Sequence, residues 1–236
     1  MKVLGIDTSS LATSVAVIED NKLICEYTIN TKKTHSQKLM PMIENMLNIS
    51  DLNINDIDLI AVCEGPGSFT GLRIGSATAK GLGLALNKPL IHIPTLDGLA
   101  YNLYGNTGLV CPIMDARRNQ VYTGIYRFED GEFQVVEEQM AISVQELIEK
   151  LNQYGEQVTF LGDGVPVYKA SLVEGIKQAC HFAPAHMNRQ RAASVATLAL
   201  KYYEEGKTET AEAHRPDYLR LSQAERERAE KDANCS

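Results

Sequence analysis

The side chains with the strongest metal-binding chemistry in this sequence lie near residue 180. Cys180, His181 and His186 offer a thiolate and two imidazoles, which are ligands that zinc prefers. Pro184 interrupts the segment, and its spacing matches no zinc signature. His35 has no second histidine one helical turn later, so its region offers a single imidazole. The spacing therefore argues against a metal site.

A glycine-rich run, GPGSFTGLRIG from Gly65 to Gly75, is the next candidate for chemistry. A glycine-rich turn that leads into a helix can cradle phosphate. The run lacks the Gly-Lys-Ser/Thr ending of a P-loop, however, and Arg73 does not occupy the position of the P-loop lysine. Ser68 does not lie in the GxSxG context of a nucleophile elbow. The run fits neither site, and a catalytic triad assembled in space stays open.

The elements around this run are a strand and a helix. Ile57 to Gly65 is an apolar stretch closed by Gly-Pro-Gly, which predicts a buried strand that ends in a tight turn. The residues that follow predict a helix, because Ser68 or Thr70 can cap it and no proline appears before Pro89.

Small residues recur at every fourth position of this predicted helix, at Gly71, Gly75, Ala79 and Gly83. Residues four apart share a helix face, so they form a nearly bare groove that another backbone can approach closely. Each glycine inside a helix costs roughly 1 kcal/mol relative to alanine, so a contact must offset that cost. The groove either packs within this chain or docks a second protein.

The preceding helix, predicted near Ser36 to Asn48, carries an apolar stripe of Leu39, Ile43 and Met46. Most such stripes face the core. Methionine is also common at adaptable contacts. The stripe and the groove could therefore form a two-helix docking face, and the core interpretation stays open beside it.

The composition is that of a globular protein with room for a sizeable core, with 236 residues of which 44% are hydrophobic. The net charge is −7, and the basic doublets Lys32-Lys33 and Arg117-Arg118 are isolated among acids. This argues against nucleic-acid binding by the chain alone. Five cysteines without CxxC spacing indicate free thiols in a reducing compartment. With neither a signal peptide nor a spanning segment, we expect a cytoplasmic protein without membrane contact.

The chain reads as two similar halves, residues 1–108 and 109–236. Each begins with three strand patterns around an acidic turn, followed by a helix, a strand and another helix. Asp7 ends the first strand of one half, and Asp115 ends that of the other. In the second half, Ser143 and Glu146 have the spacing of a capping box. The repeat predicts a duplicated α/β fold in which each half has a mixed sheet flanked by helices.

This organisation resembles the actin and hexokinase superfamily of ATPases, known as the ASKHA fold. Within that superfamily, five segments together resemble the TsaB family, also called YeaZ-like, over essentially the whole chain. They are DTSS at Asp7, THSQ at Thr34, GPGSFTGLRIG at Gly65, DARRNQVY at Asp115 and PDYLR at Pro216. The glycine-rich segment is specific to the family, whereas DTSS alone is a weak signal.

The resemblance implies a non-catalytic partner subunit. TsaB proteins support a TsaD-type enzyme that transfers a threonylcarbamoyl group to the tRNA adenosine next to the anticodon. The resemblance also implies a TsaE-type ATPase as a further partner, a homodimer when the TsaD-type enzyme is absent, and tRNA contact only through the complex. TsaD carries a helical HxxxH metal pair, which this sequence lacks because Leu39 follows His35 at that spacing.

The resemblance also assigns site residues. It requires no cofactor, but it places a vestigial nucleotide site, able to hold ATP or ADP at a degenerate or inter-subunit position, at Asp7, Thr8, Ser9, Asp115, Gly162 and Gly164. The two aspartates equally suit hairpin turns, because aspartate readily accepts backbone amides there.

The partner interface is expected at Leu39, Ile43, Met46, Gly71, Arg73, Gly75, Ala79 and Gly83. Two alternatives to a partner subunit stay open. One is a stand-alone ATP-dependent enzyme of the superfamily, and the other is a homodimeric scaffold without a nucleotide role.

Overall fold

The computed structural model describes residues 1–31 and 34–212, which form two five-stranded sheets with helices on both faces. Sheet A contains β1 (Lys2–Asp7), β2 (Ala12–Glu19), β3 (Lys22–Asn30), β4 (Leu59–Gly65) and β5 (Leu90–Pro94). Sheet B contains β6 (Leu109–Asp115), β7 (Gln120–Glu129), β8 (Glu132–Ser143), β9 (Val158–Leu161) and β10 (Cys180–Phe182). The helices are α1 (His35–Ile49), α2 (Phe69–Leu86), α3 (Thr95–Ala100), α4 (Val144–Tyr154), α5 (Val165–Gly175) and α6 (Ala192–Glu204).

The two sheets share one strand order, β3-β2-β1-β4-β5 in sheet A and β8-β7-β6-β9-β10 in sheet B. In each sheet the first three strands are antiparallel, and the last two run parallel to the first. The predicted duplicated α/β fold is therefore confirmed. Each half also has a fifth strand and a third helix beyond the repeated unit of four strands and two helices. These strands are short, and β10 has three residues, so neither shows a clear alternation.

Capping residues set the predicted helix starts. The Ser68 hydroxyl accepts a hydrogen bond from the Gly71 amide at 3.3 Å, which confirms it as the cap of α2. The helix ends at Asn87, whose φ is +53°, a left-handed conformation typical of helix ends. Ser143 and Glu146 form the predicted capping box at the start of α4.

Helices α3 and α6 tie the two halves together. Although α6 follows sheet B in the chain, its Val195, Leu198 and Ala199 are fully buried against sheet A. In the opposite direction, α3 follows sheet A and packs Leu96 and Leu99 against sheet B. The division into two domains at residue 108 stays a prediction, because these helices pack across it.

Glu26 on β3 fixes the start of α6. Its carboxylate pairs with Arg191 and accepts a hydrogen bond from the Ala193 amide at 3.0 Å. The adjacent Ala192 amide donates to the Ser14 hydroxyl at 2.8 Å. A carboxylate at a helix N-terminus satisfies a free amide and complements the helix dipole. These contacts seat α6 on sheet A.

Some segments named in the sequence analysis lie outside the described residues. They are Lys32 and Lys33 and the PDYLR segment that begins at Pro216. Within the described residues, no helix combines the length and the apolar character needed to cross a membrane.

Candidate functional site

The hairpin that follows β1 holds three of the predicted nucleotide-site residues, Asp7, Thr8 and Ser9. Both oxygens of the Asp7 carboxylate accept hydrogen bonds from this chain. One Asp7 oxygen accepts hydrogen bonds from the Ser9 amide at 2.9 Å and the Ser9 hydroxyl at 2.7 Å. The other oxygen accepts from the Cys63 thiol at 3.2 Å. Asp7 is buried, and this burial raises its pKa, although the hydrogen bonds from Ser9 and Cys63 act in the opposite direction. Asp7 thus makes the hairpin-turn contacts that its sequence context also predicted.

Thr8, the next residue, fills the small-residue groove of α2. Its hydroxyl donates to the Gly71 carbonyl at 2.7 Å. A Cβ atom added to Gly71 would lie 2.0 Å from the Thr8 carbonyl oxygen, and one added to Gly75 would lie 2.4 Å from the Thr8 hydroxyl. The first two turns of the groove are therefore closed by this chain's own hairpin.

The rest of the groove is also internal. Ala79 is fully buried. A Cβ atom added to Gly83 would lie 2.3 Å from Leu90 Cδ1 and 2.9 Å from the Ala211 Cβ. The structure corrects the sequence-based assignment of this groove to a partner, because close packing on the chain's own strand and hairpin is what requires the small residues.

The predicted stripe of α1 is core as well. Leu39, Ile43 and Met46 are at most 2% exposed and pack in the cluster between α1, α2 and sheet A. They cannot contact a partner without opening the core, so their assignment to an interface is corrected too. Of the eight residues predicted at the interface, Arg73 is the exposed one.

The opposite side of the same two helices is exposed. We define the outer face as the exposed residues Met40, Pro41, Glu44 and Ile49 of α1 with Thr70, Arg73, Ala77, Gly81 and Leu84 of α2. The α2 members recur at intervals of three and four residues, as one helix face requires. Met40, Ile49 and Leu84 are 47%, 74% and 51% exposed, and a Cβ atom added to Gly81 would meet no atom within 4 Å. The outer face thus combines exposed apolar side chains with a bare strip.

The corresponding hairpin of the second half is built on Asp115, which is exposed. Its carboxylate accepts hydrogen bonds from the Arg117 amide at 2.8 Å and the Tyr168 hydroxyl at 2.9 Å. Its own amide donates to Asp163 at 3.1 Å. Burial raises the pKa of Asp163. Asp115 therefore forms the same kind of turn as Asp7, but at the surface.

Gly162 and Gly164, the remaining predicted nucleotide-site residues, pack against β6. A Cβ atom would lie 2.2 Å from the Ile113 carbonyl oxygen at Gly162 and 3.1 Å from it at Gly164. The Gly162 amide donates to Asn188 at 2.7 Å, and two residues later Gln190 accepts from the Ser10 hydroxyl at 2.8 Å. The segment 188–190 therefore links Gly162 to Ser10, which directly follows the predicted site residues Asp7, Thr8 and Ser9.

The hairpin after Asp115 contains a feature that sequence reasoning missed. Arg117, Arg118 and Asn119 have φ values of +62°, +55° and +57°. The left-handed conformation costs roughly 1–2 kcal/mol per residue for side chains other than glycine. Asparagine tolerates it, so Asn119 is the one sequence signal for this turn. Three consecutive residues of this kind mark a strained segment.

The residues with metal-binding chemistry do not gather. His35 contacts the Thr13 hydroxyl through Nδ1 at 2.7 Å, and burial lowers the pKa of His35. Among residues 1–31 and 34–212, no group of three or more histidine, cysteine or acidic side chains is arranged to hold a metal ion.

A polar network between the halves was also missed by the sequence analysis. Buried Asp97 on α3 accepts hydrogen bonds from the hydroxyls of Tyr126 on β7 at 2.8 Å and Tyr202 on α6 at 2.7 Å. Burial raises the pKa of Asp97. The network borders a cavity of about 450 Å³ whose acidic lining includes Glu64, Asp97, Glu138 and Glu209. It links α3, sheet B and α6 through one carboxylate.

Solved structures define the class of this fold. A crystal structure from Pseudomonas aeruginosa, titled an uncharacterized protein with similarity to peptidase YEAZ, is 27% identical with a TM-score of 0.77 and covers 93% of this chain and 99% of its own. The ROK hexokinase of Thermus thermophilus is 12% identical with a TM-score of 0.51, covering 87% and 100%, which shows likeness of fold alone. The protein is therefore a duplicated α/β protein with the fold of actin-like ATPases and hexokinases.

The family follows from sequence comparison. The tRNA threonylcarbamoyladenosine biosynthesis protein TsaB of Bacillus subtilis is 34% identical over 227 residues, which are 95% of this chain and 96% of that protein. The TsaB protein of Escherichia coli is 30% identical over 223 residues, covering 93% and 95%. The family model of TsaD, tRNA N6-adenosine threonylcarbamoyltransferase, matches residues 22–228. The chain belongs to the TsaB family, which is related to TsaD.

Proposed function

We propose that this chain is a partner subunit in the biosynthesis of threonylcarbamoyladenosine in tRNA, and that it docks on a TsaD-type enzyme through the outer face. The pathway is inferred from the two TsaB relatives, which are named as tRNA threonylcarbamoyladenosine biosynthesis proteins. The observation that carries the docking proposal is the outer face itself, which combines the exposed apolar side chains of Met40, Ile49 and Leu84 with the bare strip at Ala77 and Gly81. Exposed apolar side chains that cluster on a surface are typical of interaction sites.

The fold of the partner supports helix-to-helix docking. The TsaD family model matches residues 22–228, a range that contains both α1 and α2. A TsaD-type enzyme is therefore expected to have counterparts of these two helices. Packed helices lie about 8–10 Å apart, depending on the side chains between them. Small residues at 77 and 81 suit the close end of that range, and burial of Met40 and Leu84 would stabilise the contact.

In this proposal the chain does not catalyse the transfer. Both Asp7 oxygens are engaged within the chain, and the hairpin that would face a nucleotide is packed on α2. In this proposal, docking needs no nucleotide bound by this chain. A TsaE-type ATPase and tRNA join through the complex, and two copies pair through the outer face when the TsaD-type enzyme is absent.

The test is a pair of matched substitutions on equivalent helices. Gly81→Gln places a polar side chain on the outer face, where its Cβ atom meets no atom of this chain within 4 Å, and it improves helix propensity. Ala170→Gln places the same side chain at an exposed position of α5, the counterpart of α2 in the second half. In analytical ultracentrifugation with a TsaD-type subunit, we expect Gly81→Gln to lose the heavier species and Ala170→Gln to keep it.

Two results would contradict the proposal in different ways. If the heavier species forms equally with both variants, the outer face is not part of the interface. The absence of any complex with the unsubstituted chain would overturn the partner role. ATP turnover by the purified chain, lost in Asp7→Ala, would then support the stand-alone enzyme.

A further inference from the structure

Arg117 and Arg118 differ from the other arginines of the described part of the chain. Neither guanidinium has a hydrogen-bond or ion-pair partner among residues 1–31 and 34–212, and both residues are exposed. Each of the others contacts another group: Arg73 lies over the Phe69 ring, Arg127 pairs with Glu156, Arg189 donates to the Gly162 carbonyl, and Arg191 pairs with Glu26. Within the described part of the chain, two adjacent guanidiniums are thus left unpaired on a protein with a net charge of −7.

The backbone holds this pair in place at a cost to the fold. Arg117, Arg118 and Asn119 are all in the left-handed conformation. The hairpin is fixed from both sides, since Gln120 donates to the Arg117 carbonyl at 3.1 Å and Val144 donates to the Asn119 carbonyl at 3.1 Å. Strain that the surrounding structure maintains is concentrated at functional sites. These contacts fix the backbone of the hairpin, from which both arginines extend as exposed residues.

We propose that Arg117 and Arg118 contact backbone phosphates of the tRNA in the assembled complex. The planar guanidinium binds phosphate through paired hydrogen bonds. Both residues are exposed, which suits a large polyanion better than a free nucleotide.

The charge of the whole chain explains why this contact works only in a complex. A net charge of −7 repels RNA, so two arginines do not bind tRNA alone. When a partner brings the tRNA close, they add local phosphate contacts. The inference rests on the proposed function, because it needs a complex that binds tRNA.

The test compares two double variants in the reconstituted complex with a TsaD-type enzyme. Arg117→Gln/Arg118→Gln removes the pair. Lys22→Gln/Lys177→Gln removes two positive charges from exposed positions elsewhere. Binding of tRNA is titrated over a series of salt concentrations, after ultracentrifugation has established that each variant forms the complex. Removal of the arginines should reduce the slope of log affinity against log salt by about 2, close to 1 for each phosphate contact.

The lysine control should leave the slope unchanged, and Arg117→Lys/Arg118→Lys should largely retain it because the charges remain. An unchanged slope in the glutamine variant would overturn the inference while leaving the proposed function intact. Loss of ADP or ATP binding without a change in tRNA binding would assign the pair to a nucleotide and also overturn it. Failure of this variant to assemble would assign the pair to the interface instead, and failure of the unsubstituted chain to assemble would overturn the proposed function.

Discussion

The hairpins that follow β1 and β6 occupy equivalent places in the two halves, yet the fold uses them differently. Asp7 is buried and accepts hydrogen bonds from Ser9 and Cys63. The next residue, Thr8, fills the α2 groove. Asp115 is exposed, and residues 117–119 of its hairpin are exposed and in the left-handed conformation. Duplication of a unit therefore does not duplicate its role, because the first hairpin is taken up by packing whereas the second presents side chains to solvent.

The largest expected effect comes from the two sides of α2. Gly71→Ala places a Cβ atom 2.0 Å from a backbone oxygen, so we expect the free energy of unfolding to fall by about 2 to 3 kcal/mol through overpacking. Gly81→Ala meets open space and should raise it by up to about 1 kcal/mol through helix propensity. Urea denaturation measures both. Similar losses for the two variants would contradict the assignment of inner and outer faces.

The next comparison is between the two aspartates. Asp7→Ala leaves the Ser9 amide and hydroxyl without their acceptor in a buried site, which should cost about 1–3 kcal/mol. Asp115→Ala should cost about 0.5–1 kcal/mol, because water can replace an exposed acceptor. A larger loss of stability for Asp115→Ala than for Asp7→Ala in thermal or urea unfolding would contradict this order. It would show that the fold depends more on the second hairpin.

The pH dependence of stability provides a further test of buried Asp7. The pKa of Asp7 is raised from 3.8 in the folded chain by burial, so the folded state holds this proton more tightly than the unfolded state. Its contribution to stability is complete below about pH 3.8 and is lost as the pH rises through the folded pKa. Asp7→Asn keeps an acceptor but does not ionise.

We therefore expect the stability of Asp7→Asn relative to the unsubstituted chain to increase between pH 4 and pH 7. Urea midpoints at several pH values provide the measurement, with Gly81→Ala as a control that removes no titratable group. A difference that stays constant with pH would contradict a pKa raised by folding.

The smallest effects concern the helix caps of the two halves. Ser143 takes part in a complete capping box, so Ser143→Ala should cost about 1 kcal/mol. Ser68 makes a single, longer bond of 3.3 Å to Gly71, and Ser68→Ala should cost about 0.5 kcal/mol. Thermal unfolding of both variants tests the order, which would be refuted if Ser68→Ala were the more destabilising change.

The sequence predicted the duplicated fold well because strand alternation and helix caps are local signals. It could not assign the faces of α2. A four-residue period shows that Gly71, Gly75 and Gly83 share a face, but Ala77 and Gly81 give the opposite face small residues too. Which side faces sheet A depends on the Thr8 hairpin, which is 63 residues away in the chain from Gly71.

The strained hairpin shows a second limit of sequence reasoning. Arginine has no preference for positive φ, so nothing at Arg117 or Arg118 predicts the left-handed turn. The conformation is set by partners elsewhere, including the Asp115 carboxylate and the Val144 amide. Sequence patterns predicted the turn at Asp115, whereas its strained backbone, and two arginines without a partner among residues 1–31 and 34–212, became visible only from the structure.

Hydrogen exchange of the chain, free and mixed with a TsaD-type subunit, can show which helices dock on the enzyme. Exchange reports the local protection of each segment, so it compares α1 and α2 with their counterparts α4 and α5 in one experiment. We expect new protection in peptides from residues 35–49 and 69–86 and none in those from 144–154 and 165–175. Protection confined to the second pair of helices would contradict docking through the outer face.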